Sequence, residues 1–372
     1  MRIRTTHVGS LPGPPDFDAA ASASDEQLRR SVQWVVERQR EAGMDVINEG
    51  ELTKGGDWLA FMDDRLGGFE ERQPPAAGSI IARGRDREAF ADFYRYAAER
   101  QTLFFAGDGR MKTVRRFTAC TSPVTYTGSD ALERELALFR SVVGDPAACF
   151  LTSTAPASLE PYRSNEFYPT TEAFVFALAE ALRTEYEAIA SAGFLLQVDD
   201  AWLVSLWDRI GIGMGLPAFK AYCLLRVDAL NHALRNIPEE RVRYHFCWGS
   251  WHGPHAYDLP FADIVDVMLR VKARFYSFEA ANVRHEHEYH VWEDVRLPAG
   301  KVLLPGVVTH STDLIEHPAL VAERITRFAR LVGPERVMAS TDCGFGGRSH
   351  PQIAWAKLHS LHAGAELASR AL

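Results

Sequence analysis

Val242-Arg243-Tyr244-His245-Phe246-Cys247 reads as one β-strand, closed by a tight loop, Trp248-Gly249-Ser250-Trp251-His252-Gly253. Residues two apart on a strand share a face. His245 and Cys247 therefore aim an imidazole and a thiol into one space, which suits the first two ligands of a zinc ion. Two ligands do not make a site, so the rest of the chain must supply more.

Outward from this strand the sequence alternates short β-like runs with longer helical ones. The expected strands are Ile3–Val8, Asp45–Asn48, Cys149–Thr154, Phe194–Val198, Val242–Cys247, Phe275–Glu279, Val302–Val308 and Val337–Asp342. Helices are expected after Ser24, over about Thr171–Ala192, Pro217–Asn236, Phe261–Lys272 and Pro318–Leu331, and from Pro351. Eight strands, most followed by a helix, indicate an α/β fold, a (β/α)8 TIM barrel. The competing arrangement is an open doubly wound sheet. The strand ends favour the barrel, because nearly all carry polar or reactive residues: His7 and Ser10, Glu51, Asp199, His245 and Cys247, Glu279, His310, Asp342 and Cys343. Barrel enzymes build their sites at that rim. The rhythm breaks between about residues 52 and 145, an insertion after the second strand that is too long for an ordinary loop. Within it, Lys112–Phe117 and Pro123–Thr127 are expected to pair as a hairpin. The expected organisation is a single catalytic barrel domain, 1–372, carrying that insertion.

Composition limits the function classes. The chain has 372 residues, 47% hydrophobic and 24% charged, with a formal net charge of -8. With pI ≈ 5.9 and a mean hydropathy of -0.17, it lacks the basic excess that nucleic acid or an anionic membrane surface would select. No run approaches the roughly 20 apolar residues of a membrane span. The start has no apolar signal-peptide core. Five cysteines in so long a chain read as reduced thiols of a cytoplasmic protein, with metal binding or catalysis favoured over a disulfide.

Cys343 ends the strand before Gly344 in the same way that Cys247 ends its own. At a barrel mouth these ends converge. His245, Cys247 and Cys343 would make a three-ligand zinc set with an open position, the catalytic pattern. Glu279 is a candidate weak fourth ligand. The alternative for each cysteine is a small buried hydrophobe. Two other signals carry less weight. Arg284-His285-Glu286-His287-Glu288-Tyr289-His290 lacks HExxH spacing and reads as a polar helix face. Gly344-Phe345-Gly346-Gly347-Arg348 matches no phosphate loop and reads as backbone passing close to a metal and substrate.

Seven pieces, in order, give the chain a resemblance to a known family: RTTHVGSLP, DVINEGE, LLQVDDAWL, YHFCWG, FYSFEAAN, LLPGVVTHSTD and VMASTDCG. It resembles the catalytic barrel of cobalamin-independent methionine synthases, with the short zinc-dependent alkyltransferases that include epoxyalkane:coenzyme M transferases. The resemblance implies zinc held by His245, Cys247 and Cys343, with Glu279 completing the shell when thiol is absent. It implies Glu51 and Asp199 on the ammonium group of homocysteine, Ser10 on its carboxylate, and His310 as proton donor. The implied partners are a small-molecule thiol and a methyl or alkyl donor. The implied reaction is attack of a zinc-activated thiolate on that donor, whose leaving group an acid protonates.

The chain departs from the two-barrel methionine synthases. It has no counterpart of their N-terminal barrel ahead of Met1, lacks a lysine-rich surface for a polyglutamate tail, and carries His7 before Val8-Gly9-Ser10. These features favour the short branch and leave an epoxide-opening thiol transferase as the alternative. A barrel that binds zinc or a thiol without catalysis is the minor one.

Overall fold

The computed structural model describes residues 1–17, 24–55, 57–73, 80–103 and 116–372. Its strands are β1 Arg4–Thr5, β2 Leu66–Arg72, β3 Phe117–Tyr126, β4 Phe150–Thr154, β5 Arg163–Asn165, β6 Leu195–Asp200, β7 Val242–Phe246, β8 Phe275–Phe278, β9 Val302–Val308 and β10 Met338–Thr341. Seven of these form one sheet in the order β1-β10-β9-β8-β7-β6-β4, with every pairing parallel. The sheet does not end at β1 and β4. The amides of Asp45 and Val46 donate to the Thr5 carbonyl at 3.0 and 3.1 Å, and Phe150 donates to Ile47 at 2.9 Å. Ile47 also bridges Cys149 in parallel. Residues 45–47 are therefore the eighth stave, and the sheet closes into the expected (β/α)8 barrel instead of an open doubly wound sheet.

Helices cover the outside where the sequence places them. Asp25–Glu41 is capped by Ser24, whose hydroxyl accepts from the Gln27 amide, and Thr171–Ser191 is capped by Thr170 in the same way. Leu216–Ala233, Pro318–Val332 and Pro351–Ala371 follow β6, β9 and β10. After β7, where a long helix is expected, there is only a 3-10 turn at Phe261–Asp263 and one turn at Val265–Met268. The β-branched Val265, Val267 and Val271 weaken helix propensity there, and all three instead bury in the outer core. Among the described residues no helix is long and apolar enough to cross a membrane.

The insertion also differs from expectation. The expected hairpin does not form between Phe117 and Thr127: β3 runs unbroken through that turn. It pairs antiparallel with β2 and parallel with β5. Lys112–Arg115 lies outside the described residues. Pro123 has no amide to donate, and the ladder shifts register opposite it, between Gly67 and Phe69. Gly68 sits there at φ 97, where an added Cβ would lie 2.6 Å from the Pro123 carbonyl oxygen.

Strand alternation sorts β7 into two layers. Phe246 faces the helices, with ring centroids 5.8 Å from Phe261 and 6.1 Å from Phe278. Arg243 faces the barrel axis, its guanidinium 3.7 Å from the Phe150 ring centre and donating to the Thr6 hydroxyl and the His7 carbonyl. Val46, Phe150, Val302, Leu304 and Met338 plug the end below. His245 and Cys247, on the same face as Arg243, are thus carried to the mouth.

Candidate metal and thiol site

The ligand atoms of His245, Cys247 and Cys343 all lie within 4.8 Å of one another, and all three residues are buried. No other cluster of this kind occurs among the described residues. Among the described residues the His245 Nδ1 has no hydrogen-bond partner, so this imidazole is not committed to a neighbour through that nitrogen. Cys343 accepts a hydrogen bond from Cys247, with Arg348, His245 and His310 also favouring its thiolate. That bond holds Cys343 well below the usual thiol range and, with burial, pushes Cys247 well above it. A buried imidazole and two thiols so close, one already thiolate-like, fit a soft divalent metal such as zinc.

One cleft is lined by these three residues together with Ser10, Glu51, Asp199 and Arg348, among others. Register explains part of this: Asp199 pairs with His245 across β6 and β7, so both point into the mouth at one level. Gln197, on the same face, donates to Asp199 Oδ1 at 2.8 Å. Glu51 reaches the cleft by a strained backbone. Its φ of 59 is left-handed without being glycine, a conformation that costs about 1–3 kcal/mol and gathers at functional sites. Burial pushes Glu51 up to about 7, with Lys54 opposing and Glu49 adding to the shift. Asp199 is pushed well above the usual carboxylate range by burial and by the Glu51 charge. Two buried carboxyls side by side resist ionising together until a cation joins them.

Glu279 stands beside the ligand cluster and not within it. Its carboxylate accepts from the Trp248 amide at 3.0 Å and from Asn282 at 2.7 Å, so it braces the turn that follows Cys247. Asp342 does the same for the loop after β8, accepting from the amides of Ala280 and Ala281. Asp200 points outward to Ser158 and Tyr244. His7, despite its strand-end position, bonds Gln39 at 2.6 Å behind the barrel wall. His310 is buried, with Nδ1 unpartnered among the described residues. Burial pushes it down to about 3, against the opposing pull of Cys343, so its ring is neutral in this state.

Sequence reading missed three features. Arg348 was absorbed into a glycine-rich loop, although it is the only Lys or Arg among the described lining residues. Trp58, from the insertion, also lines the cleft, and nothing in its sequence spacing marks it. His285 is no face residue: its ring stacks on Trp248 at 3.9 Å and bonds Asp258 at 3.1 Å and Glu288 at 2.7 Å. Although burial opposes it, these carboxylates raise His285 to about 10. A raised histidine adds stability that is complete below its unfolded value of about 6.5 and is lost as pH climbs toward the folded one. The stability gap between wild type and His285→Gln in urea unfolding is therefore expected to be widest near pH 6 and to shrink toward pH 10. An unchanged gap would place the ring's contribution in packing alone.

No protein-family model matches the chain. The methionine synthase of Saccharolobus solfataricus is 23% identical over 376 residues, covering 98% of this chain and 94% of that protein. That of Thermococcus kodakarensis is 24% identical over 220 residues, 59% of this chain and 57% of its own length. Among solved structures, a B12-independent methionine synthase from Shewanella sp. W3-18-1, in complex with selenomethionine, superposes with a TM-score of 0.73 at 17% identity, covering 100% of this chain and 99% of that one. A methyltransferase from Methanosarcina mazei gives 0.53 at 12% identity, over 98% and 94% of the two chains. Over nearly all its length the chain is similar in sequence to methionine synthases, and it carries the barrel fold seen in the B12-independent type.

Proposed function

We propose that this chain is a zinc-dependent thiol S-alkyltransferase of methionine synthase type, acting on an ammonium-bearing thiol such as homocysteine. The observation that carries this is the meeting of His245, Cys247 and Cys343 within 4.8 Å, in one cleft with Glu51 and Asp199. Residues 1–372 would work as one catalytic barrel. Zinc, when bound by the imidazole and two thiolates, would supply a Lewis acid that keeps the substrate thiol deprotonated at neutral pH. Glu51 and Asp199 would hold the ammonium group, each ionising more readily as the cation arrives. Glu279 would keep the Cys247 turn in place. Val8, Trp58 and Ala201, which share the lining, would exclude water from the sulfur. The sulfur–carbon bond forms as the donor's carbon–nitrogen bond breaks, and the departing nitrogen needs a proton. His310, neutral in the resting state, would take up the proton that the thiol gives up and deliver it to that nitrogen.

An epoxide-opening reaction with coenzyme M is less well supported. Its sulfonate needs a cationic cleft, and this one offers two carboxyls against a single guanidinium.

The test is metal content followed by a thiol screen. Freshly purified protein is expected to hold about one zinc per chain; less than half of that removes the reading. In the cobalt(II)-substituted protein, homocysteine is expected to change the visible charge-transfer bands, and silence toward every thiol would sink it. Every thiol should bind more tightly as pH rises, since it must lose its proton. An ammonium-bearing thiol should show extra steepness below about pH 7, where Glu51 is protonated. Glu51→Gln is expected to weaken ammonium-bearing thiols and to remove that extra steepness, leaving the rise common to every thiol.

A further inference from the structure

The proposed ammonium site leaves the opposite pole of the substrate without a charged partner, and Arg348 stands there. The loop after β10 is tied to Ser10: the amides of Phe345 and Gly346 donate to the Ser10 carbonyl at 2.8 and 3.1 Å. The approach is so close that a Cβ on Gly344 would lie 2.3 Å from the Ser10 hydroxyl oxygen. That fixes where the loop turns, and Arg348 folds back over it. Its Nη1 donates to the Gly346 carbonyl at 3.1 Å and reaches the Ser10 hydroxyl at 3.4 Å. Its Nε donates to the Ser250 hydroxyl, on the loop after β7. The side chain is buried. Among the described residues no carboxylate is bonded to it, in contrast to buried arginines such as Arg65 and Arg226. Its charge acts on both Glu51 and Cys343.

A guanidinium held by neutral oxygens at the edge of a cleft is preorganised for an incoming anion, because its planar fork matches a carboxylate. We propose that Arg348 is the charged specificity residue at the carboxylate position that the resemblance assigns to Ser10, pairing with the acid group of the substrate thiol and so favouring amino-acid thiols. This rests on the thiol-transferase reading above. The cleft then carries a charge order: metal ligands at the sulfur, two carboxyls at the ammonium group, and a guanidinium at the carboxylate. The competing role is a latch that merely ties three rim loops together. A latch would affect all thiols alike.

The experiment uses the cobalt-substituted full chain and follows the visible bands with three probes. These are homocysteine, 3-aminopropane-1-thiol, which lacks only the carboxylate, and 4-mercaptobutanoate, which lacks only the ammonium group. In Arg348→Met, homocysteine and 4-mercaptobutanoate are expected to bind on the order of 10- to 100-fold more weakly, the range for losing a charged hydrogen-bonded partner. 3-Aminopropane-1-thiol should change less than about 3-fold on the same grounds. Arg348→Lys, which keeps the charge and loses the fork, should recover part of the homocysteine affinity. Equal weakening of all three thiols in Arg348→Met, or no weakening of homocysteine, overturns the assignment while leaving thiol activation intact. Silence of the wild-type bands toward all three removes thiol activation, and this assignment with it.

Discussion

Replacing Cys343 with alanine is expected to strip the metal and abolish transfer while leaving the barrel folded. A structural zinc site of four ligands binds with about 10–16 kcal/mol, or roughly 2.5–4 kcal/mol per ligand, so losing one of them weakens retention by roughly 10²- to 10³-fold. Cys343 sits past the end of β10 at the mouth and is absent from the main apolar core, so its sulfur can go without opening the interior. Cys223 provides the contrast. It is fully buried in Leu216–Ala233, outside the ligand cluster, and burial, with the Asp200 charge adding to it, pushes its thiol up to about 12. Cys223→Ala should keep its metal. The measurement is metal per chain after dialysis against a chelator, with circular dichroism as the folding control. Wild-type retention by Cys343→Ala would remove this cysteine from the ligand set.

The second large effect is on stability. Lys54→Met is expected to cost about 3–5 kcal/mol, the range for removing one partner of a buried ion pair. The Lys54 ammonium lies 3.0 Å from Glu49 and 2.5 Å from Glu135, and all three side chains are almost wholly buried. Glu135 continues to Arg65 at 2.7 Å, and Arg65 to Glu185 at 3.0 Å. Ser153 and Tyr126 donate to Glu185 at 2.7 and 2.6 Å. Three carboxylates therefore face two cations, and removing Lys54 leaves Glu49 without its cation. Burial works to raise Glu135, but Lys54 and Arg65 outweigh it and hold the group at about 2. A depressed carboxyl adds stability that is present above about pH 4.3 and is lost as pH falls toward its folded value. The gap between wild type and Lys54→Met in guanidinium unfolding should accordingly narrow below pH 4. Adding Glu49→Gln to Lys54→Met should restore part of the loss. If the single variant unfolds within about 1 kcal/mol of wild type, the charges are not coupled as their distances imply. Lys54 also holds Glu51 down, so in this variant the extra pH-dependent binding step should move above about 7.

Most of the barrel was legible because its strands are buried on both faces and announce themselves as apolar runs. Val302–Val308 begins and ends where the sequence places it. The stave at residues 45–47 was legible for another reason: Gly43 before it and Gly50 after it fix the turns, both at positive φ. The insertion was not legible. β2 is Leu-Gly-Gly-Phe-Glu-Glu-Arg, with two glycines and three charges, and only its partner β3 makes it a strand. The convergence of His245, Cys247 and Cys343 could be read because thiols and imidazoles are rare and strand ends converge. The charge network could not. Its pairs span 81 and 120 residues, and no local pattern distinguishes a buried Glu135 from the solvated acids beside it on the same helix. Arg348 escaped notice because glycines around it dominated the reading of its loop.

Ile47 and Cys149 are bridged neighbours in the ring, yet about a hundred residues separate them in the chain. The intervening stretch leaves and rejoins at a single seam. Its length is consequently not dictated by barrel closure, since the ring needs only the two ends to meet. Such a stretch is a cassette: it can lengthen, shorten or be exchanged while the seam holds, and the order of the staves is untouched. The cleft wall that holds the thiol, apart from Glu51 and Trp58, comes from the ring and its short rim loops. The chemistry of the sulfur and the covering over it can thus diverge separately, with one acid at the start of the cassette belonging to both.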